Sequence, residues 1–179
     1  MIIQTTLGQQ IIAAREYYDG YAQAIAHGIK QADFPSIVSA SAEMAAFVNK
    51  NDLLVPMPSH TGRATATLEL ATLIASRVQA SVADALTGCH RVSLYEHEKR
   101  GGLRSDIELG LQVDVAAIGG FKGRIIVIDN AAHSGATAQA AEAAFKRVGL
   151  CATVLVYAAA ICESGVLAGQ RDRRSVAVS

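Results

Sequence analysis

Asp129 closes an aliphatic run in the stretch "RIIVIDNAAHSGATAQAAEAAFKRVG", and His133, Ser134, Gly135 and Thr137 follow within a few residues. A carboxylate accepts hydrogen bonds from hydroxyls, and Asn130 beside it both donates and accepts. Gly135 has no side chain to keep an anion from the main chain. Successive backbone N–H groups running into a helix N-terminus form a nest for negative charge, and the Ser134 and Thr137 hydroxyls add donors. Residues 131–141 contain no carboxylate, although acids are favoured in a first helical turn. An acid there would repel a bound phosphate. A helix start capped by Ser or Thr would account for the same loop without any ligand. Phosphate donors beside a hydroxyl acceptor point to a ribose 5-phosphate group as the ligand.

Two further groups of residues suit anions. Ser59, His60, Thr61, Gly62 and Arg63 follow "LLVPMP", and no carboxylate falls between Asp52 and Glu69. Lys99, Arg100 and Arg104 surround Gly101 and Gly102, which would give a closing loop its mobility. Arg63 reads equally as a solvated side chain at a helix start, and the second group as a charged surface loop.

Other chemistries fit less well. Asp129, His133 and Ser134 are triad residue types, but adjacent His and Ser side chains do not adopt triad geometry, and "AHSGA" lacks the first glycine of a nucleophile elbow. Cys89-His90 reads more simply as a buried cysteine beside a loop histidine. Neither a G-x-G-x-x-G nor a G-x-x-x-x-G-K motif occurs.

The elements that position these residues follow from periodicity. The 179 residues suit one domain with a sizeable core. Sixteen basic residues balance sixteen acidic ones, which gives no support to nucleic-acid binding. Three cysteines at no metal-binding spacing, no membrane-length apolar run and no secretory leader suggest a reduced, cytoplasmic setting. Residues 1–50 read as helical, with Tyr17, Tyr18, Tyr21, Ile25 and Ile29 on one helix face. A second helix in "SASAEMAAFVNK" would have a Ser cap and a face of Met44, Phe47 and Val48. The run before Pro56 and Pro58 reads as a strand, followed by a helix bearing Leu68, Leu70, Ala71, Ile74 and Val78 and a second strand in "QASVADAL". Residues 88–110 read as a long loop or irregular hairpin. Residues 125–128 form a strand covered on both faces. The next helix buries Ala140, Ala141, Ala144, Phe145 and Val148 and ends at Gly149, and "ATVLVYAAA" is the next strand. Two strand–helix–strand units imply an α/β fold with a parallel sheet and helices on both sides.

The Asp129 stretch resembles the ribose-phosphate signature of type I phosphoribosyltransferases: an aliphatic strand, two adjacent acids, two short residues, a hydroxyl- and glycine-rich loop, and a helix. "LLVPMPSHTGRATATLELATLIA" resembles the pyrophosphate-loop region of the ComF-type members. "YAQAIAHGIKQA" resembles their upstream helix and lysine, and "LYEHEKRGGLRSD" lies where the family keeps a flexible catalytic loop. The resemblance implies a Rossmann-like core at residues 51–165, an N-terminal helical hood at 1–50 and a C-terminal tail at 166–179. It places the ribose and 5-phosphate on Asp129, Asn130, Ala131, Ala132, His133, Ser134, Gly135, Ala136 and Thr137, and the pyrophosphate on residues 59–63. Asp129, Lys99, Arg100 and Arg104 become the catalytic set. Mg²⁺ would be held through substrate oxygens and water, with no direct protein ligand.

The implied reaction moves ribose 5-phosphate from 5-phosphoribosyl 1-pyrophosphate to a nitrogen nucleophile such as a nucleobase. A homodimer is a family-level expectation. Asn130 stands where the family has its second acid, and His133 where it has a hydroxyl residue. These departures keep open an alternative, a non-catalytic module that senses a phosphoribosyl compound or nucleotide.

Overall fold

A computed structural model of the chain describes residues 2–4, 10–93, 97, 99–101 and 108–160. Arg104, Gly102, Cys162 and the tail at 166–179 lie outside them. The elements run β1 (Ile2–Gln4), β2 (Gln10–Glu16), α1 (Gly20–Lys30), α2 (Phe34–Met44), β3 (Leu53–Pro56), α3 (Ala66–Val78), β4 (Ser81–Val82), β5 (Leu86–Thr87), β6 (Gln112–Val113), α4 (Val115–Ile118), β7 (Ile125–Ala132), α5 (Ala136–Arg147) and β8 (Ala152–Ala159). The main sheet has the order β1-β2-β8-β7-β3-β4. Five of its strands are parallel, and β1 pairs antiparallel with β2 at one edge.

Alternation along the central strands builds two apolar layers. Val127 and Val154 face one side with Ala138, Ala141, Ala144 and Phe145 of α5. Ile126, Ile128 and Leu155 face the other with Ala26 and Ile29 of α1, Ile37 and Met44 of α2, and Leu70 and Ile74 of α3. Both faces are covered, so the parallel strands are near-continuous aliphatic runs. At the N-terminal edge of the sheet Arg124 makes a two-point ion pair with Asp52, Nε to Oδ1 at 3.0 Å and Nη2 to Oδ2 at 2.6 Å. Asp52 is only 4 % exposed. Burial alone would raise its pKa, but Arg124 and the Asn49 N–H bring the carboxyl below its ordinary value.

Several expectations need correction, among them a buried Cys89, which is exposed. The helical reading of the N-terminal segment fails at residues 10–16, which form β2 and pair with β8 from Ile11 opposite Val154 to Glu16 opposite Ala159. Ile11 and Ala13 pack on the α5 side and Ile12 and Ala14 on the other. Apolar residues at four successive positions, 11–14, hide a period of two. The helix begins only at Gly20, capped by Asp19, whose side chain accepts from the Tyr21 N–H at 3.2 Å. Tyr17 is therefore buried at the end of β2, while Tyr18 and Tyr21 are exposed, so the three do not share a helix face.

In α2 the cap is Asp33 rather than a serine. Its Oδ2 accepts from the Ser36 N–H at 3.0 Å and the Ser36 hydroxyl at 2.5 Å, and Pro35 sits in the first turn. The helix stops at Met44, so Phe47 and Val48 belong to the short turn after it. Val148 lies past the end of α5 and is exposed. Strand β7 runs on through Asp129 to Ala132, because Ala131 and Ala132 still pair with Ala158 and Ala159. That leaves only residues 133–135 as loop. The segment from 88 to 110 lies between β5 and β6, which pair antiparallel at its base. Among the described residues no helix is long and apolar enough to cross a membrane.

Candidate functional site

The order of the sheet fixes where a ligand can enter. From β3 the chain crosses through α3 outward to β4. From the neighbouring β7 it crosses through α5, on the opposite face, in the opposite direction to β8. The loops after β3 and β7 therefore part, and a crevice opens between the carboxyl ends of adjacent strands. Open α/β sheets bind ligands at such a switch point.

A cavity of about 400 Å³ occupies this crevice. One wall is the β7–α5 segment, with Asp129, Asn130, Ala131, Ala132, His133, Ser134, Gly135, Ala136 and Thr137 all lining it. Ser59, His60 and Thr61 line the β3 side, together with Thr65, Ala66 and Thr67 at the start of α3. Tyr17 and the α1 residues Ala26, His27, Ile29 and Lys30 form a third wall, and Arg91 and Ser93 a fourth.

Two helix N-termini thus open onto one cavity. The cap of α5 is Gly135 at φ 76°, and that of α3 is Thr65; neither helix has a side-chain cap hydrogen bond. The Ser134 hydroxyl lies 3.4 Å from the Ala136 nitrogen. Thr67 Oγ1 donates to the Met57 carbonyl at 2.6 Å, tying α3 to the end of β3. The first turn of α5 carries no acid, whereas α3 has Glu69. Backbone N–H groups at both termini favour negative charge in the cavity.

Among the described residues, Asp129 is the one carboxylate lining the cavity. Burial raises its pKa to about 6, against the opposing effects of the Asn130 N–H, 2.8 Å from Oδ1, and of the Arg91 charge. The same burial lowers the pKa of Arg91, opposed by Cys89 and Asp129. Asn130 has a structural role as well, because its Nδ2 donates to the Ala26 carbonyl of α1 at 3.2 Å. A carboxylate at that position would set two acceptors against each other.

The turn after β3 is held by its own bonds. Ser59 N–H donates to the Arg63 carbonyl at 3.0 Å, Gly62 N–H to the Ser59 carbonyl at 3.1 Å, and the Ser59 and Thr61 hydroxyls meet at 2.8 Å. Gly62 has φ 85°, and a Cβ there would lie 2.3 Å from the Gly88 carbonyl oxygen. This glycine is required by the turn. Gly62 and Arg63 are not among the lining residues, and neither are Lys99 and Arg100. Arg104 lies outside the described residues.

Tyr17, His27, Lys30, Arg91 and Ser93, to which the sequence assigned no site role, also line the cavity. Tyr17 Oη and His27 Nε2 are 2.9 Å apart, and the Tyr17 and His133 rings meet edge-on with centroids 4.3 Å apart. The Arg91 N–H donates to the His60 carbonyl at 2.9 Å, which holds its loop against the β3 turn. The described residues contain no group of three or more His, Cys, Asp or Glu placed to hold a metal ion. Comparison of the chain with protein-family models, with curated proteins and with solved structures returned no match.

Proposed function

We propose that the cavity holds a 5-phosphoribosyl group, and that the protein is a Mg²⁺-dependent phosphoribosyltransferase with an N-terminal hood formed by α1 and α2. The observation that carries this reading is the convergence of two helix N-termini, neither with a side-chain bond from its N-cap residue, on one cavity with Asp129 in its wall. A phosphoribosyl pyrophosphate has anionic groups at both ends and hydroxyls between them, and the lining has donors at two ends with an acceptor between. The α5 terminus, with His133, Ser134 and Thr137, takes the 5-phosphate. The α3 terminus, with Ser59, His60 and Thr61, takes the pyrophosphate, and Arg91 stands on the same side. Asp129 accepts from the ribose hydroxyls.

In the transfer the bond from the anomeric carbon to the pyrophosphate oxygen breaks, and a bond from that carbon to nitrogen forms. The electron pair leaves with pyrophosphate, and the nucleophile gives up a proton. Positive charge grows on the sugar, and the Asp129 carboxylate favours it. With its pKa near 6, Asp129 is also suited to take up that proton. Mg²⁺ would be held mainly by substrate oxygens and water and would neutralise charge on the leaving group.

The second reading is a non-catalytic module that binds a nucleotide or phosphoribosyl compound. It is favoured by the position of Lys99 and Arg100 off the cavity wall. Calorimetric titration with 5-phosphoribosyl 1-pyrophosphate, with and without Mg²⁺, tests the site. Binding that needs Mg²⁺ and is lost in Asp129→Ala is the expected result. No binding by folded protein rejects the proposal, and binding of nucleoside monophosphates alone selects the second reading.

A further inference from the structure

We infer that Tyr17 is a positioning residue for phosphate capture: it aims the His133 imidazole at a phosphate monoester held at the α5 terminus, and through His27 it draws α1 into the same brace. The inference rests on the phosphoribosyl reading above. His133 stands where the resembling motif has a hydroxyl residue. A hydroxyl sits one bond from Cβ and needs little steering. An imidazole is larger and turns about χ2, a torsion with only a broad preference of its own, so a neighbour must set the plane of the ring.

The sheet supplies that neighbour. Tyr17 follows β2 and His133 follows β7, with β8 between them. Two strand spacings put their main chains about 10 Å apart, so the side chains must cross the end of β8 to meet. That end is small, since Ala158, Ala159 and Ala160 are all fully buried alanines. It also ties down both partners. The Tyr17 N–H donates to the Ala159 carbonyl at 2.9 Å, and the Ala160 N–H to the carbonyl of Ala132, just before His133, at 2.8 Å. The Tyr17 and His133 rings then meet edge-on, with centroids 4.3 Å apart and planes at 68°, a geometry that aromatic pairs favour. The far end of the tyrosine is fixed as well. Its Oη lies 2.9 Å from His27 Nε2, and the Asn130 amide fastens α1 to β7 through the Ala26 carbonyl. Tyr17 is 6 % exposed, yet Tyr17, His27 and His133 all line the cavity. A tyrosine that only filled the core would act on ligand affinity in the same measure with or without His133.

Ribose 5-phosphate is the probe, titrated by calorimetry into the full chain, its Tyr17→Leu, Tyr17→Phe and His133→Ala variants, and the variant carrying both Tyr17→Leu and His133→Ala. His133→Ala should weaken binding, and Tyr17→Leu should weaken it by about threefold to tenfold. Tyr17→Phe, which keeps the ring, should retain most of the affinity. In the His133→Ala background Tyr17→Leu should have little further effect, because the two residues act as a unit. An equal loss in both backgrounds overturns the inference, as does an affinity that either single variant, Tyr17→Leu or His133→Ala, leaves unchanged. If Tyr17→Leu does not fold, a proton magnetic resonance titration of the unmodified protein decides. The chain has five tyrosines and five histidines, and Tyr17→Phe and His133→Ala assign the two ring signals of interest. Ribose 5-phosphate should shift both signals together, and a shift at His133 without one at Tyr17 overturns the inference. If the sugar phosphate binds and the Tyr17 variants bind it equally well, the phosphoribosyl reading stands and this inference falls. If the folded, unmodified protein does not bind it, both fall.

Discussion

Asp129 should cost the protein stability at neutral pH, and Asp129→Asn should recover it. Burial holds the carboxyl at about 6 in the folded chain against an ordinary value of 3.8. The folded state therefore binds the proton more tightly than the unfolded state. Stability is greatest below the ordinary value, falls as pH rises from about 4 to about 6, and is level above that. The full difference is worth about 3 kcal/mol, an upper bound because cavity water screens part of the penalty. Asparagine has the shape of the protonated acid and can still accept from the Asn130 N–H, so the variant keeps the 2.8 Å contact without the charge. Urea denaturation of both proteins at pH 4, 5, 6 and 7.5 gives the difference directly, since every other titrating group is shared. The two should agree at pH 4, and the variant should gain by up to about 3 kcal/mol by pH 7.5. A constant offset across the range, or a variant that loses ground as pH rises, refutes the argument.

Asn130→Asp, which would restore the second acid of the resembling motif, should destabilise the fold by about 1–3 kcal/mol in a thermal or urea melt, because it turns the amide donor to Ala26 into an acceptor. Arg124→Leu should cost about 2–3 kcal/mol by leaving buried Asp52 unpaired. Asp52→Asn in that background should return part of the loss, as a double-mutant cycle will register. In the unmodified protein the Asp52 contribution is fully present above the ordinary carboxylate range and declines as pH falls below about 4. Gln79 ends α3 at φ 60° and ψ 35°, so Gln79→Gly should raise stability by about 1 kcal/mol by relieving left-handed strain.

The strands and helices around the site were legible because their signals are local. Residues 125–128 are aliphatic throughout, and Pro56 and Gly149 punctuate the ends of elements, so both strand–helix units and the two-sided parallel sheet followed from periodicity. Strand β2 was not legible. Ile11, Ile12, Ala13 and Ala14 are apolar on both alternating faces, and Arg15 and Glu16, which follow, are good helix formers. Pairing with β8 decided the matter, and β8 lies at the far end of the sequence. The start of α2 was readable from Asp33 and Pro35, a cap and a first-turn proline, but the serines downstream offered a competing cap.

The site divides along the same line. Residues 129–137 form one contiguous wall, so the sequence held them together before the fold did. The opposite walls come from three other places in the chain, and only the sheet order brings them to one crevice. Tyr17 reaches His133 because β2 was inserted beside β8, and a helical reading of residues 10–16 necessarily lost it. Arg91 was passed over for Lys99, Arg100 and Arg104 because flanking glycines suggested a moving loop. The fold places Arg91 on the cavity wall and Lys99 and Arg100 off it. Arg91 follows β5, its backbone is tied to His60, and its charge is felt at Asp129. The Asn130 departure likewise changes meaning. Read along the chain it is a missing acid; in the fold it is the amide that fastens α1 over the cavity, and α1 carries His27 and Lys30.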